Sequence, residues 1–83
     1  MTKEEIELEG WKYTGKSIDI WFEKAGQFER SSWTSYRAEM HYGLHDNWLY
    51  ISLDDIGDTT YIFQGIIKTI DEFKILMKQL NIN

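Results

Sequence analysis

The sequence predicts an α+β fold: a four- to five-stranded antiparallel meander with a short N-terminal helix and a C-terminal helix packed on one face. Three observations predict it. Near the C-terminus, Ile70, Phe73, Met77 and Leu80 recur at helical spacing, with Leu76 beside them. Through the middle of the chain the apolar period changes to two. Turn-forming stretches such as "GLHDN" and "DDIGD" separate the alternating runs.

The first helix starts at "TKEE", where the Thr2 side chain and Glu5 three residues on fit a capping box. It stops at Gly10, a residue that tolerates the left-handed conformation common just past a helix end. "WKY" reads as a short extra strand, folded back on Ser17–Glu23 through the "TGK" turn. "SIDIWFE" alternates Ile18, Ile20 and Phe22 against Asp19, Trp21 and Glu23. "YRAEMHY" sets Tyr36, Ala38, Met40 and Tyr42 against Arg37, Glu39 and His41. "WLYISLD" sets Leu49, Ile51 and Leu53 against Trp48, Tyr50 and Ser52, and "TTYIFQGII" is a further strand. "KAGQ", "ERSS" and "GLHDN" read as loops, which leaves Trp33 in a polar loop. "TIDE" at Thr69–Glu72 repeats the capping box at the start of the C-terminal helix, whose Lys74 and Lys78 lie off the apolar stripe.

The aliphatic sets Ile18/Ile20/Phe22, Ala38/Met40 and Leu49/Ile51/Leu53 are expected to meet that helix. The opposite face then carries Asp19, Trp21, Glu23, Arg37, Glu39, His41, Trp48 and Tyr50. A mixed aromatic and charged face of this kind marks a partner or ligand surface, or a subunit interface.

The 83 residues read as a single domain, 1–83, with no repeats and no linker. So short a chain buries only about 60–65% of the surface its unfolded form exposes. With no cysteine to staple it, stability must come from large aromatics or from self-association, and a homo-oligomer is expected. No apolar run is long enough for a membrane span, and the acidic start "MTKEEIELEG" is unlike a secretory signal. These features point to the cytoplasm. A net charge of −5 excludes a duplex nucleic-acid binder of the basic-footprint kind. The charge is uneven. Residues 38–63 contain five carboxylates and no Lys or Arg. Residues 11–37 combine Lys12, Lys16, Lys24, Arg30 and Arg37 with Trp11, Tyr13, Trp21, Trp33 and Tyr36.

No catalytic signature frames Ser31, Ser32, Ser35, His41 or His45, so no enzyme is expected. His41, His45 and Asp46 lie close in sequence, but on a strand and the loop after it they lack helical metal-ligand spacing. "DDIGDTT" lacks the alternating donors of a calcium loop. Neither metal nor cofactor is expected. The aromatic-basic block is more informative. Trp and Tyr faces stack on nucleobases for about 1–3 kcal/mol per base, and Arg clamps phosphate. "WKYTGK" and "RSSWTSYR" supply both chemistries. The candidate ligand-binding set is therefore Trp11, Tyr13, Lys16, Arg30, Trp33, Tyr36 and Arg37, with Lys12 a further phosphate contact. The competing reading is that such aromatics pair across strands and replace aliphatic core. It applies most to Trp21 and Trp48, which with Tyr50 form the candidate interface. Trp33 stands open between a packing anchor and a binding arm.

The opening "TKEEIELEGWKYTGKSIDIWF" and the close "FQGIIKTIDEFKILMKQLNI" resemble small uncharacterised proteins of phages and prophages of Bacteroidetes-type bacteria. In those, a "TKE…GW" start and a "GxIK…EFKxLxKQLxI" end flank a variable, strand-rich middle. The likeness covers about half of this chain and carries no catalytic residues. It implies a small phage protein acting against host defence. The expectation is thus a non-catalytic binding protein that sequesters a small nucleotide or cyclic nucleotide. The alternative is a protein–protein inhibitor that docks on a host defence protein through its aromatic and acidic sheet face.

Overall fold

The computed structural model describes residues 1–14, 20–30, 33–55 and 58–82. Lys16, Ile18, Asp19, Ser31, Ser32 and the centre of the "DDIGD" turn lie outside them, as does the side chain of Arg30. In chain order the elements are α1 (Lys3–Leu8), β1 (Lys12–Tyr13), β2 (Ile20–Arg30), β3 (Trp33–Tyr42), β4 (Trp48–Asp55), β5 (Asp58–Ile66) and α2 (Ile70–Leu80). The strands form one antiparallel sheet in the order β1-β2-β3-β4-β5, an uninterrupted meander.

Both helix starts sit where the sequence places them. At α1 the Thr2 hydroxyl accepts the Glu5 N–H at 3.1 Å and the Glu5 carboxylate accepts the Thr2 N–H at 2.8 Å, so two free donors are satisfied reciprocally. The helix ends into Gly10, at φ +94°. At α2 the Thr69 hydroxyl accepts the Glu72 N–H at 3.2 Å, but the Glu72 carboxylate accepts from that same hydroxyl, at 3.1 Å. The left-handed Asn81 closes α2, with Ile82 N–H donating to the Met77 carbonyl at 2.9 Å.

Two strand boundaries differ from the sequence reading. "KAGQ" and the start of "ERSS" are strand rather than loop, because β2 and β3 continue as a long hairpin through Phe28–Ser35, Glu29–Thr34 and Arg30–Trp33. Ladder bonds are made by backbone, so polar residues extend a hairpin once its register is set. The register shifts between Ala25 and Phe28, which accommodates Gly26 and Gln27. Gly26 suits that spot, since a Cβ there would come within 3.0 Å of the Phe28 ring. A second shift lies in β5, where Ile51 pairs with Phe63 but Ser52 pairs with Tyr61. Ile62 is the extra residue.

The core lies on the sheet face the alternation assigns to it. Phe22, Ala38, Met40, Tyr42, Leu49, Ile51 and Leu53 are buried together with Phe73, Leu76 and Met77 of α2. Fully burying a large apolar side chain contributes about 1.5–3 kcal/mol. The short α1 joins the same core through Ile6, and Glu9 just beyond it meets Lys74 of α2 at 3.6 Å. Trp11 departs from its expected role: it is 2% exposed, and its ring centroid lies 6.4 Å from that of Phe73. Lys24 closes over it, 5.9 Å from the ring, with its ammonium donating to the Glu9 carbonyl at 3.1 Å. Burial lowers the Lys24 pKa, partly offset by the charge of Glu9.

At the end of β3 the fully buried Tyr42 carries its hydroxyl to 2.9 Å from the Ile67 carbonyl and 3.0 Å from Asn47 Oδ1. The same oxygen accepts from the Met1 amino group at 3.2 Å. Burial, and then the carboxylates Asp46, Glu5 and Glu72, raise its pKa, so the group stays a neutral donor. Asn47, at φ +58°, turns the chain from β3 into β4, and its carbonyl accepts the Ile67 N–H at 3.0 Å. Tyr42→Phe should therefore cost about 1–3 kcal/mol, the usual penalty for leaving buried polar partners unsatisfied. Urea unfolding read by circular dichroism measures it, and an unchanged midpoint would show that water replaces the hydroxyl.

Candidate functional site

Side chains on a strand alternate between faces, so the residues interleaved with the core set all emerge on the other side of the sheet. Register then aligns them. Trp21 lies opposite His41, His41 opposite Tyr50, and Ser52 opposite Tyr61. The rings make a continuous row across four strands. Trp21 and His41 centroids are 4.6 Å apart at 38°, His41 and Tyr50 5.6 Å at 34°, and Tyr50 and Tyr61 6.2 Å at 63°. Trp48 extends the row, edge-on to Tyr50 at 5.9 Å. Trp21 is 43% exposed and Tyr61 61%. Trp21, Glu39, His41, Tyr50, Thr59 and Tyr61 line a hollow of about 510 Å³.

One end of this face is acidic. Glu23 and Glu39 sit directly opposite each other, a repulsive cross-strand pair. Arg37 relieves the repulsion: its guanidinium reaches Asp54 at 2.7 Å, Glu39 at 3.2 Å and Glu23 at 4.0 Å. Three carboxylates against one guanidinium leave the cluster net negative. The two best-placed acids titrate in opposite senses. Burial, then the hydrogen bond and charge of Asp54, push Glu39 above its ordinary range despite Arg37. Burial would raise Asp54 too, but hydrogen bonds from Arg37, Glu39 and Thr59 outweigh it and hold Asp54 low. The Ser35 hydroxyl donates to the Asp54 backbone carbonyl at 2.5 Å and pins β3 to β4 beside the cluster.

The candidate ligand-binding residues are not brought into one place. Trp11 is enclosed in the core and has no face to offer a base. Tyr13 is opposite Phe22 and Trp33 opposite Arg30, eight positions apart on β2 and thus separated by roughly 25 Å at about 3.3 Å per residue. Tyr13 packs edge-on against Phe22, with the Lys3 ammonium 4.4 Å over its ring. Trp33 opens β3 rather than lying in a loop, and it is half-buried against the core. Its anchoring aspect is therefore plain. Tyr36 is exposed, and Arg37 is committed to carboxylates rather than free for phosphate.

The candidate interface residues Trp21, Trp48 and Tyr50, by contrast, share the ring row. Tyr61 belongs with them and sequence alternation did not find it. It shares parity with Phe63, whose partner Ile51 faces the core, and the bulge at Ile62 turns it to the other side. A second hollow of about 430 Å³ gathers Lys24, Lys74 and Lys78. Glu9 and the last turn of α2, whose unpaired carbonyls repel anions, already occupy those charges. Among the described residues, no group of three His, Asp or Glu is arranged to hold a metal ion, and no helix is long and apolar enough to cross a membrane. No family model, curated protein or solved structure matches the chain.

The carboxylate pair gives a signed expectation. A raised folded-state pKa means that folding disfavours the charged form of Glu39, so Glu39→Gln should raise the melting temperature at pH 7. That gain should vanish as pH falls through the raised pKa of Glu39, where the wild-type side chain becomes neutral as well. Asp54→Asn should act oppositely: the depressed pKa of Asp54 contributes stability at neutral pH that fades as the carboxylate protonates at lower pH. Thermal melts across pH check both, and a lower melting temperature for Glu39→Gln at pH 7 would mean that attraction to Arg37 dominates.

Proposed function

We propose that the chain is a non-catalytic protein-recognition module, and that its ring-lined sheet face docks on a basic surface of a partner protein. The observation that carries this reading is the row Trp21–His41–Tyr50–Tyr61, solvent-facing at both ends and bordered by Glu23, Glu39 and Asp54. Aromatic residues dominate the energetics of interfaces because they bury large area with few rotors to freeze. The carboxylate excess sets the sign of the partner, since complementary potential steers encounter and rejects acidic surfaces. A nucleotide is less well served, because its phosphates would approach the acidic end of the same face. Under the counter-defence role that the phage-type resemblance implies, the partner is a host protein and the chain acts by occupying its surface.

The reading is tested by affinity capture from the cells that naturally express the gene, comparing wild type with three variants that keep the native circular dichroism spectrum. Trp21→Ala and Tyr61→Ala should each weaken retention of the partner about tenfold or more, as truncating a central interface aromatic does. Ile75→Ala, on the exposed side of α2, should leave it unchanged. A partner retained equally by all four proteins would place recognition elsewhere.

A further inference from the structure

We infer that the hollow between Trp21, Tyr50 and Tyr61 is a seat for one organic cation, the ammonium or guanidinium of a lysine or arginine side chain presented by the partner. The inference rests on the protein-recognition reading and names the chemistry of its central contact.

Four observations converge on a cation. Aromatic faces are the negative part of the ring quadrupole, and Trp21, His41, Tyr50 and Tyr61 all line one volume. Glu39 lines the same hollow, so a full or partial negative charge stands beside the ring faces. Asp54 and Glu23 stand behind it, and Arg37 offsets one of the three charges. Ser52 and Thr59 also line the hollow, and a hydroxyl oxygen can accept from further N–H donors.

The chain also contains its own precedent. Arg37 shows that these carboxylates accept a guanidinium at hydrogen-bonding distance, 2.7 Å to Asp54 and 3.2 Å to Glu39. A volume of about 510 Å³ exceeds a bare cationic head group and leaves room for an aliphatic stem along the rings. An inorganic divalent ion would use none of the aromatic surface, and a neutral ligand would leave the carboxylate excess unanswered. Burial raises the pKa of Glu39, so its charged form is partly desolvated and short of counter-charge. A cation arriving over the rings would pair with that carboxylate and oppose the shift.

The test is an NMR titration of the isotope-labelled full chain with small probes. N-acetyl-arginine amide, N-acetyl-lysine amide and choline should give saturable shifts at the Trp21 indole and at the amides of residues 39–41, 50–52 and 59–61. Dimethylbutanol, the neutral isostere of choline, should not saturate over the same range, nor should cellobiose or AMP. Tyr61→Leu keeps apolar bulk but removes the ring, and Glu39→Gln removes the charge. Each should weaken the cations by about 5- to 30-fold, the range for losing a partly desolvated cation–π or charged contact.

Equal affinity for choline and its neutral isostere, or saturable binding of cellobiose or AMP at the same resonances, would overturn the cation seat. So would the absence of saturable shifts with all three cations. Choline binding far tighter than both amino-acid amides would overturn the protein-borne source and assign the seat to a free quaternary ammonium. These outcomes leave the wider reading to be judged by capture: partner loss on Trp21→Ala with no cation binding would retain the face and reject the seat.

Discussion

The Tyr42 hydroxyl lies where three segments remote in sequence converge: the N-terminus, the β3–β4 turn and the connection from β5 to α2. Much of the architecture depends on this one oxygen. It accepts from Met1 and lies beside the Ile67 carbonyl and the Asn47 side chain, so the start of α1, the left-handed turn and the approach to α2 are all referred to β3. Its ring meanwhile belongs to the apolar core. The consequence for the site is geometric. With both helices anchored to the Tyr42 side of the sheet, the rings on the other side stay accessible.

Division of labour between the two faces explains the distribution of aromatics. Trp11, Phe22, Phe28, Tyr42 and Phe73 are buried where a longer chain would use aliphatic residues. Each replaces one or two smaller residues in a domain short of interior. Trp21, Tyr50 and Tyr61 contribute less to that interior and are arranged by register instead. The acidic end of the face carries a tension of its own. Glu39 opposes Glu23, is partly desolvated, and depends on Arg37 and a shared hydrogen bond with Asp54.

Sequence reasoning reached the fold because its signals were local and periodic. Thr2 and Thr69 marked helix starts, Gly10 marked the end of the first helix, and the alternation around Met40 and Ile51 assigned the faces. It failed where a residue's role depends on something outside the period. Trp11 sits between lysine and glycine with no apolar pattern around it, yet tertiary packing against Phe73 and the cover of Lys24 take it into the core. Arg37 reads as a phosphate ligand until register brings Glu23, Glu39 and Asp54 around it. The hairpin tip ran further than its polar residues implied, and Trp33 moved with it from loop to strand.

The extra residue Ile62 has a consequence for how this protein tolerates change in β5. An ordinary strand couples its two faces rigidly, so an insertion or slip at one point turns every later side chain over. The bulge interrupts that coupling within β5. Residues 63–66 keep step with the core side of β4, while residues 58–61 follow a separate register that delivers Tyr61 beside Tyr50. A slip or insertion in the leading half-strand can therefore be absorbed at the bulge without turning over residues 63–66. Change of that kind is therefore confined to the half-strand that carries Tyr61, and the core side of β5 is insulated from it.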